Sequence, residues 1–129
     1  MTPGSLFNTE TKTTFLKYLF WTGVITLTVI SVIPKDLNQV MGIDIWDKLE
    51  HFIAYFILSF VGTLAYREKR TLPVIFFGLV ALGGGLEIIQ VYIPNRQGGL
   101  DDAIANMAGV ITGIAIKQLT NYFRTAKQG

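Results

Sequence analysis

Seven polar residues interrupt the apolar stretches of this sequence and could carry chemistry, and we call them the polar set: Lys48, His51, Glu87, Gln90, Arg96, Asp102 and Asn106. A histidine beside a carboxylate is a pairing that general acid–base catalysis uses. Lysine and arginine attract phosphate and carboxylate groups, and amides and carboxylates add hydrogen bonds. The residue types therefore suit either the binding of a charged headgroup or proton transfer at such a group.

Helical spacing places members of the polar set on shared faces. Lys48, His51 and Tyr55 follow one another at intervals of three and four residues, so they line one side of a helix. Two later pairs have the same spacing, namely Glu87 with Gln90 and Asp102 with Asn106. Each pair or triplet therefore points its polar groups in one direction.

The sequence has four apolar tracts, at 18–33, 49–66, 72–93 and 103–116, and the last three contain or border members of the polar set. Hydrophobic residues make up 50% of the chain, charged residues 16%, and the mean hydropathy is +0.44, which suits a bilayer better than water. Tracts of this length predict spanning helices, since a chain with so few spans cannot close a barrel. We predict an all-α fold, a polytopic membrane four-helix bundle with helices at 16–33, 47–66, 71–93 and 101–119 between tails at 1–15 and 120–129.

Basic residues predict the orientation of the bundle. Four crossings put both termini on one side, and eight basic residues fall there: Lys12, Lys17, Arg67, Lys69, Arg70, Lys117, Arg124 and Lys127. The other side has three, Lys35, Lys48 and Arg96. The positive-inside rule then places the N- and C-termini in the cytoplasm of a bacterial cytoplasmic (inner) membrane, with the polar set toward the outer leaflet. The first tract lacks a small-residue cleavage site and ends at Pro34, so we interpret it as a retained helix.

The free-energy cost of burying polar groups in the membrane predicts that the polar set forms one cluster, which opens toward the outer side. Glu87 precedes Pro94 by seven residues, which is about 10 Å along a helix and places it below the headgroups. An ionisable group at that depth needs a partner or a wet cavity, and Lys48, Arg96 and a protonated His51 are the cations on that side. Small residues should allow the helices to approach closely; these candidates for helix packing are Gly83, Gly84, Gly109 and Gly113.

Several classes of function are disfavoured by composition. The chain has no cysteine and one histidine, so thiolate chemistry and cysteine-based metal sites are excluded. We predict no cofactor and no metal, because a site built from His, Glu and Asp would need three helices to converge on one atom. The basic residues flank the spans instead of forming one face, so we predict no nucleic-acid partner.

Simpler roles compete with functional ones at several positions. Asp47, Lys48 and Glu50 also suit ordinary capping at the start of an interfacial helix, and Asp101 suits a solvated cap. His51 could serve a structural hydrogen bond. Glu87 is the exception, because a carboxylate within a membrane span is a functional hypothesis by default.

The residues from about 46 to 113 resemble the VanZ-like family. The resemblance is carried by Asp47-Lys48-Leu49-Glu50-His51-Phe52 with Ala54-Tyr55-Phe56, by Glu87-Ile88-Ile89-Gln90 and Pro94-Asn95-Arg96, and by Asp102 with Asn106-Met107-Ala108-Gly109. Matching by position selects the same polar set. Two features depart from the family pattern: Asn95 stands where glycine commonly precedes the arginine, and Gly98-Gly99 replaces a more apolar or serine-containing stretch. The family name implies a link to resistance against lipid-linked glycopeptide antibiotics such as teicoplanin.

Three functions are compatible with these observations. The first is a site for a membrane lipid or cell-envelope ligand, with Lys48 and Arg96 attracting its headgroup. The second is a non-catalytic accessory subunit whose glycine faces dock onto a larger membrane complex. The third is an intramembrane hydrolase or transferase with His51 as general base, oriented by Glu87 or Asp102. Binding is favoured over the accessory role, and both are favoured over an enzyme, because the chain has no serine or cysteine nucleophile motif and no HExxH.

Overall fold

The computed structural model describes the backbone of residues 8–35 and 44–127, and the side chains of 8–35 and 47–127. Within these ranges the chain forms α1 (Thr9–Val32), α2 (Asp44–Ala65), a 3-10 turn (Lys69–Thr71), α3 (Leu72–Gln90) and α4 (Leu100–Ala126). No strand occurs in the described ranges. Four helices are long and apolar enough to cross a membrane, so the predicted all-α, four-helix membrane fold is confirmed.

The helix ends differ from the predicted ones where polar residues continue a helix beyond its apolar part. Hydropathy locates the part of a helix that suits lipid, but a helix can continue into water wherever its residues tolerate it. Accordingly α1 begins at Thr9, inside the predicted N-terminal tail, and α4 continues to Ala126, inside the predicted C-terminal tail. In contrast, α3 ends at Gln90, before its predicted end at 93. The chain that follows it forms tight turns up to Pro94.

Two proline residues mark helix ends in the structure. The backbone of Ile33 is extended, as expected for a residue that precedes proline, so α1 stops before Pro34. Pro73 occupies the first turn of α3, where its missing N–H costs no helical hydrogen bond.

Contacts between α1 and α2 establish an up-and-down arrangement. The indole Nε1 of Trp21 donates to Oη of Tyr66 at 2.9 Å, and Nζ of Lys17 lies 5.3 Å from the centroid of the same tyrosine ring. The first half of α1 therefore lies beside the residue that follows α2. The ends that carry the polar set meet at the opposite end of the bundle.

The most extensive helix–helix contact joins α2 and α4, and two glycines allow it. A Cβ atom at Gly109 would collide with the backbone of Phe52 and Phe56, and one at Gly113 would collide with Ser59 and the backbone of Phe56. The two helix backbones therefore approach each other too closely for any side chain at these positions. This is the small-residue packing that the sequence predicted.

Only one of the two predicted packing glycines on α3 has that role. A Cβ at Gly83 would lie 3.2 Å from Cβ of Asn106 and 3.2 Å from the ring of Tyr55. A Cβ at Gly84 would meet nothing within 4 Å among the described residues. The prediction for Gly84 is wrong because consecutive residues point about 100° apart on a helix, so only one of them can face the neighbouring helices.

The interior of the bundle is apolar over most of its length. Its buried core includes Phe20, Tyr55, Leu58, Leu79 and Val110. Large apolar side chains such as Ile25, Val74 and Phe77 are exposed on the outer walls. Exposed apolar walls around a bundle that carries buried polar groups are what a lipid environment requires.

Candidate functional site

A chain of hydrogen bonds links three helices at the end where α2 and α4 begin and α3 ends. Nδ1 of His51 on α2 lies 3.0 Å from Oδ1 of Asn106 on α4, and Nδ2 of Asn106 donates to Oε1 of Glu87 on α3 at 3.3 Å. His51 Nδ1 is also 3.5 Å from Oε1 of Glu87. Glu87 and Asn106 are buried, and the His51 side chain is 14% exposed. The three residues hold one another in place inside the bundle.

The hydrogen bonds of this chain determine which nitrogen of His51 carries a proton. Because the amide nitrogen of Asn106 donates to Glu87, its amide oxygen faces the imidazole and accepts a hydrogen bond from it. The Nδ1–H of His51 is therefore the donor. A neutral ring then keeps its lone pair on Nε2, which is the atom left for a ligand, a metal or a proton.

The loop before α4 completes the environment of Glu87. The backbone N–H of Gly99 donates to Oε2 of Glu87 at 3.1 Å. Gly98 packs so tightly on the backbone carbonyl of Glu87 that a Cβ atom would collide with it. Both carboxylate oxygens of Glu87 thus have donors, which is how a buried carboxylate is tolerated.

Asp102 is the buried carboxylate that lacks such donors. It is 8% exposed, and no described residue donates a hydrogen bond to its side chain. A ligand atom of Asp102 lies within 4.8 Å of ligand atoms of Asp47 and His51. Its position in the first turn of α4 is worth about 0.3–1 kcal/mol to a negative charge. A carboxylate that is largely withdrawn from water costs more than this unless a cation or a donor compensates it.

Two ion pairs lie near Asp102 at the mouth of the bundle. Lys35 forms an ion pair with Oδ1 of Asp47. Nζ of Lys48 lies 3.6 Å from Oδ2 of Asp101, and these two side chains are 42% and 74% exposed. We call Lys48 and Asp101 the rim and call Asp47, His51, Glu87, Asp102 and Asn106 the inner cluster. The inner cluster is therefore reached past a solvated rim.

The two remaining members of the polar set are used elsewhere. Nε2 of Gln90 donates to the carbonyl of Ser31 at 3.1 Å, and Nε of Arg96 donates to the carbonyl of Ile33 at 2.9 Å. Nη2 of Arg96 also bonds the carbonyl of Ile30. These carbonyls belong to the last turn of α1, where helical partners run out. The expected single cluster is thus divided, because the free end of α1 takes the Arg96 guanidinium and the Gln90 amide.

Sequence reasoning missed three contributors to the site and undervalued a fourth. Lys35, Gly98 and Gly99 were not singled out as site residues, and Asp47 was weighed as a helix cap. A signal existed for Asp47, because it precedes His51 by four residues and so shares its helix face. A glycine pair directly before an acidic helix start could likewise have indicated close backbone approach.

The departure at Asn95 has a conformational explanation. Asn95 has φ = 60°, which lies in the left-handed region. Glycine adopts this region most easily, and asparagine is among the few other residues that visit it routinely. Asn95 can therefore replace the family's glycine and still turn the chain so that Arg96 reaches α1.

No curated protein and no solved structure gives a significant match to this sequence. The profile of the VanZ/LLP1 family matches residues 4–121, which includes all of the inner cluster and most of each helix. The match and the four apolar helices confirm the predicted resemblance, and the chain is a multi-pass membrane protein that belongs to the VanZ/LLP1 family.

Proposed function

We propose that this protein binds the phosphate-bearing headgroup of a membrane lipid or lipid-linked cell-envelope molecule at the inner cluster. The observation that carries the proposal is the chain from Glu87 through Asn106 to His51. It fixes the tautomer of a histidine just inside the rim. Apolar side chains of similar volume would join three helices without the cost of burying ionisable groups, so a role beyond packing is favoured.

The rim supplies the charge that a phosphate needs. Lys48 is 42% exposed, and its partner Asp101 is more exposed still, so the ion pair is screened and readily exchanged for another anion. Arg96, which the sequence suggested as a second phosphate ligand, is committed to the carbonyls of α1. The headgroup would therefore meet Lys48 first and His51 beneath it.

The walls next to the mouth suit the chains of a lipid. Leu100 and Ile104 on α4 and Ile88 on α3 are large, apolar and exposed near the inner cluster. An acyl or isoprenoid chain lying along these residues would place its headgroup at the rim. A lipid ligand thus fits this end of the bundle better than a small soluble anion does.

The proposed orientation places the inner cluster at the outer face of a bacterial inner membrane, with both termini in the cytoplasm. The basic residues at the opposite end support it through the positive-inside rule. Binding of a lipid-linked envelope molecule at the outer face would account for the glycopeptide-resistance role that the family resemblance implies.

Native mass spectrometry of the detergent-purified protein tests the proposal. The probes are phosphatidylglycerol, phosphatidylethanolamine and undecaprenyl phosphate, with the Glu87→Gln and Lys48→Gln variants compared with wild type. Glu50→Gln is the matched control, because Glu50 is an exposed carboxylate on α2, the helix that carries Lys48. We expect wild type and Glu50→Gln to retain one phosphate lipid and the two site variants to bind it at least tenfold more weakly. Equal retention by all four proteins would overturn the proposal.

An enzymatic role is the second candidate, and the contact between His51 and Glu87 favours it. A carboxylate 3.5 Å from Nδ1 and an amide oxygen that accepts a hydrogen bond from Nδ1–H orient an imidazole whose Nε2 can act as a general base. In a reconstituted assay that measures headgroup release, His51→Ala would abolish turnover if this role holds. Full turnover in that variant, or no turnover in wild type, would exclude it.

The accessory-subunit hypothesis keeps only part of its motivating surface, since Gly84 alone of the four predicted packing glycines has open space around it among the described residues. Gly109 and Gly113 are covered by α2 of the same chain, so they are not available to dock another protein. Gly83 likewise faces Asn106 and Tyr55 inside the bundle.

A further inference from the structure

We propose that Asp47, His51 and Asp102 hold a divalent transition-metal ion, of which Mn²⁺ and Zn²⁺ fit the donor set best. This inference concerns a resident cation and does not depend on the lipid ligand proposed above. It also differs from the sequence-based expectation of no metal, which assumed that three helices would have to converge.

Two helices are enough to assemble the donors. Asp47 and His51 are four residues apart on one face of α2, and Asp102 faces them from the first turn of α4. One ligand atom from each residue lies within 4.8 Å of the other two. Ligands bound to one ion at about 2.0–2.2 Å are separated by about 3–4 Å, so small side-chain rotations would close the site.

The histidine is already prepared as a ligand. Histidines that bind metals nearly always donate their other ring N–H to a carbonyl or carboxylate, which fixes the ring and its tautomer. Asn106 and Glu87 provide this arrangement, since Nδ1–H of His51 donates to the Asn106 amide oxygen and the Asn106 amide donates to Glu87. The lone pair is thereby held on Nε2, where a metal would bind.

Asp102 supplies the independent indication that a cation is needed. Asp102 is 8% exposed as a residue, and no donor from the described part of the chain reaches its carboxylate. The nearby cations are used elsewhere, because Lys35 bonds Asp47 and Lys48 lies on Asp101. Every fully buried side-chain nitrogen or oxygen among the described residues has a partner, so the Asp102 oxygens must keep some contact with solvent. An ion could therefore reach them.

The donor set selects the class of metal. One imidazole nitrogen with two carboxylates suits Zn²⁺ and Mn²⁺, whereas Mg²⁺ and Ca²⁺ prefer oxygen donors alone. Three protein ligands leave at least one coordination position open. If the protein also binds a lipid headgroup as proposed above, a phosphate oxygen would occupy the open coordination position. Only this binding of phosphate to the metal depends on the proposed function.

Electron paramagnetic resonance of Mn²⁺ tests the site with the full chain in detergent and no added lipid. Free Mn²⁺ gives a sharp six-line signal that is lost on binding, so a titration counts bound ions. We expect wild type to bind one Mn²⁺ per chain and Zn²⁺ to displace it. Asp102→Asn and His51→Gln should weaken binding at least tenfold. Asp101→Asn, an exposed neighbour of Asp102, should bind as wild type does.

Thermal unfolding distinguishes loss of the site from loss of the fold. When a chelator keeps both proteins free of metal, the melting temperature of Asp102→Asn should equal or exceed that of wild type. The substitution removes an unpaired charge from a largely buried residue. Mn²⁺ should raise the melting temperature of wild type and Asp101→Asn but not of Asp102→Asn. Absence of binding to wild type at millimolar Mn²⁺, or equal binding by Asp102→Asn and His51→Gln, would overturn the proposal. Lipid retention is measured in a separate experiment by native mass spectrometry. Failure of the metal proposal would therefore not count against the headgroup proposal.

Discussion

The backbone N–H of Gly99 donates to Oε2 of Glu87 at 3.1 Å, which ties the residue before α4 to the last turn of α3. Asn106 supplies the donor for the other oxygen of the same carboxylate. Glu87 therefore sets the position of the loop between α3 and α4 as well as the position of the amide that orients His51. A change at Glu87 or in this loop should affect both.

Replacement of Glu87 by glutamine tests this double role. A glutamine has one acceptor oxygen, so its NH₂ would face either the Gly99 N–H or the Asn106 amide and leave one donor unsatisfied. We expect a loss of about 1–3 kcal/mol in unfolding free energy and faster hydrogen exchange at the Gly99 amide. Exchange measured by mass spectrometry on the peptide that contains Gly99 checks this, with Glu50→Gln as control. Unchanged protection would contradict the hydrogen-bond assignment.

A side chain at Gly98 should displace the loop. The Cβ atom of Gly98→Ala would collide with the carbonyl oxygen of Glu87, and backbone cannot move aside as a flexible side chain can. We expect destabilisation of about 1–3 kcal/mol, seen as a lower melting temperature in detergent. Gly84→Ala is the matched control, because its Cβ meets nothing nearby and alanine favours a helix by about 0.5–1 kcal/mol. An equal effect of both substitutions would refute the packing argument.

Enlargement of Gly109 should separate α2 from α4. The Cβ of Gly109→Ala would meet the backbone of Phe52 and Phe56, so the helices would have to move apart along their main contact. We expect a large fall in the melting temperature and in Mn²⁺ binding, because His51 and Asp102 lie on the two separated helices. Gly85→Ala, which has open space, should leave both unchanged. Wild-type stability in Gly109→Ala would show that the two helices pack more loosely than the structure indicates.

Backbone conformation at Asn95 predicts opposite effects for two substitutions. Asn95→Gly should keep or slightly raise stability, since glycine adopts φ = 60° without strain. Asn95→Val should lower the unfolding free energy by about 1–2 kcal/mol, because a β-branched residue is disfavoured there. The measurement is the melting temperature of each variant compared with that of wild type. If valine is tolerated as well as glycine, the turn does not need its left-handed residue.

Cysteine labelling tests the proposed orientation. The natural chain has no cysteine, so Gln97→Cys and Arg70→Cys each introduce a unique thiol, at opposite ends of the bundle. A membrane-impermeant maleimide added to intact spheroplasts should label Gln97→Cys and spare Arg70→Cys until the membrane is opened. The reverse pattern would place the inner cluster on the cytoplasmic side and would exclude an outer-leaflet ligand.

The sequence by itself determined the number of spanning helices, the end of the bundle at which the polar residues gather, and the family. The reason is that the free-energy cost of a polar group in hydrocarbon depends on the composition of a helix and on the position of the group along it. Both follow directly from the order of the residues. Helical spacing also determined which polar residues share a face. This was enough to single out His51, Glu87, Asp102 and Asn106, which the structure brings together.

Only the tertiary structure decided which of these residues are partners. Lateral contact depends on the rotation of each helix and on its offset from its neighbours, and close packing at Gly109 and Gly113 fixes both for α2 and α4. That packing brings His51 to Asn106, whereas the end of α1 draws away Arg96 and Gln90. It also brings buried Asp102 close to Asp47, a contact between two helices that no spacing rule along one helix could reveal.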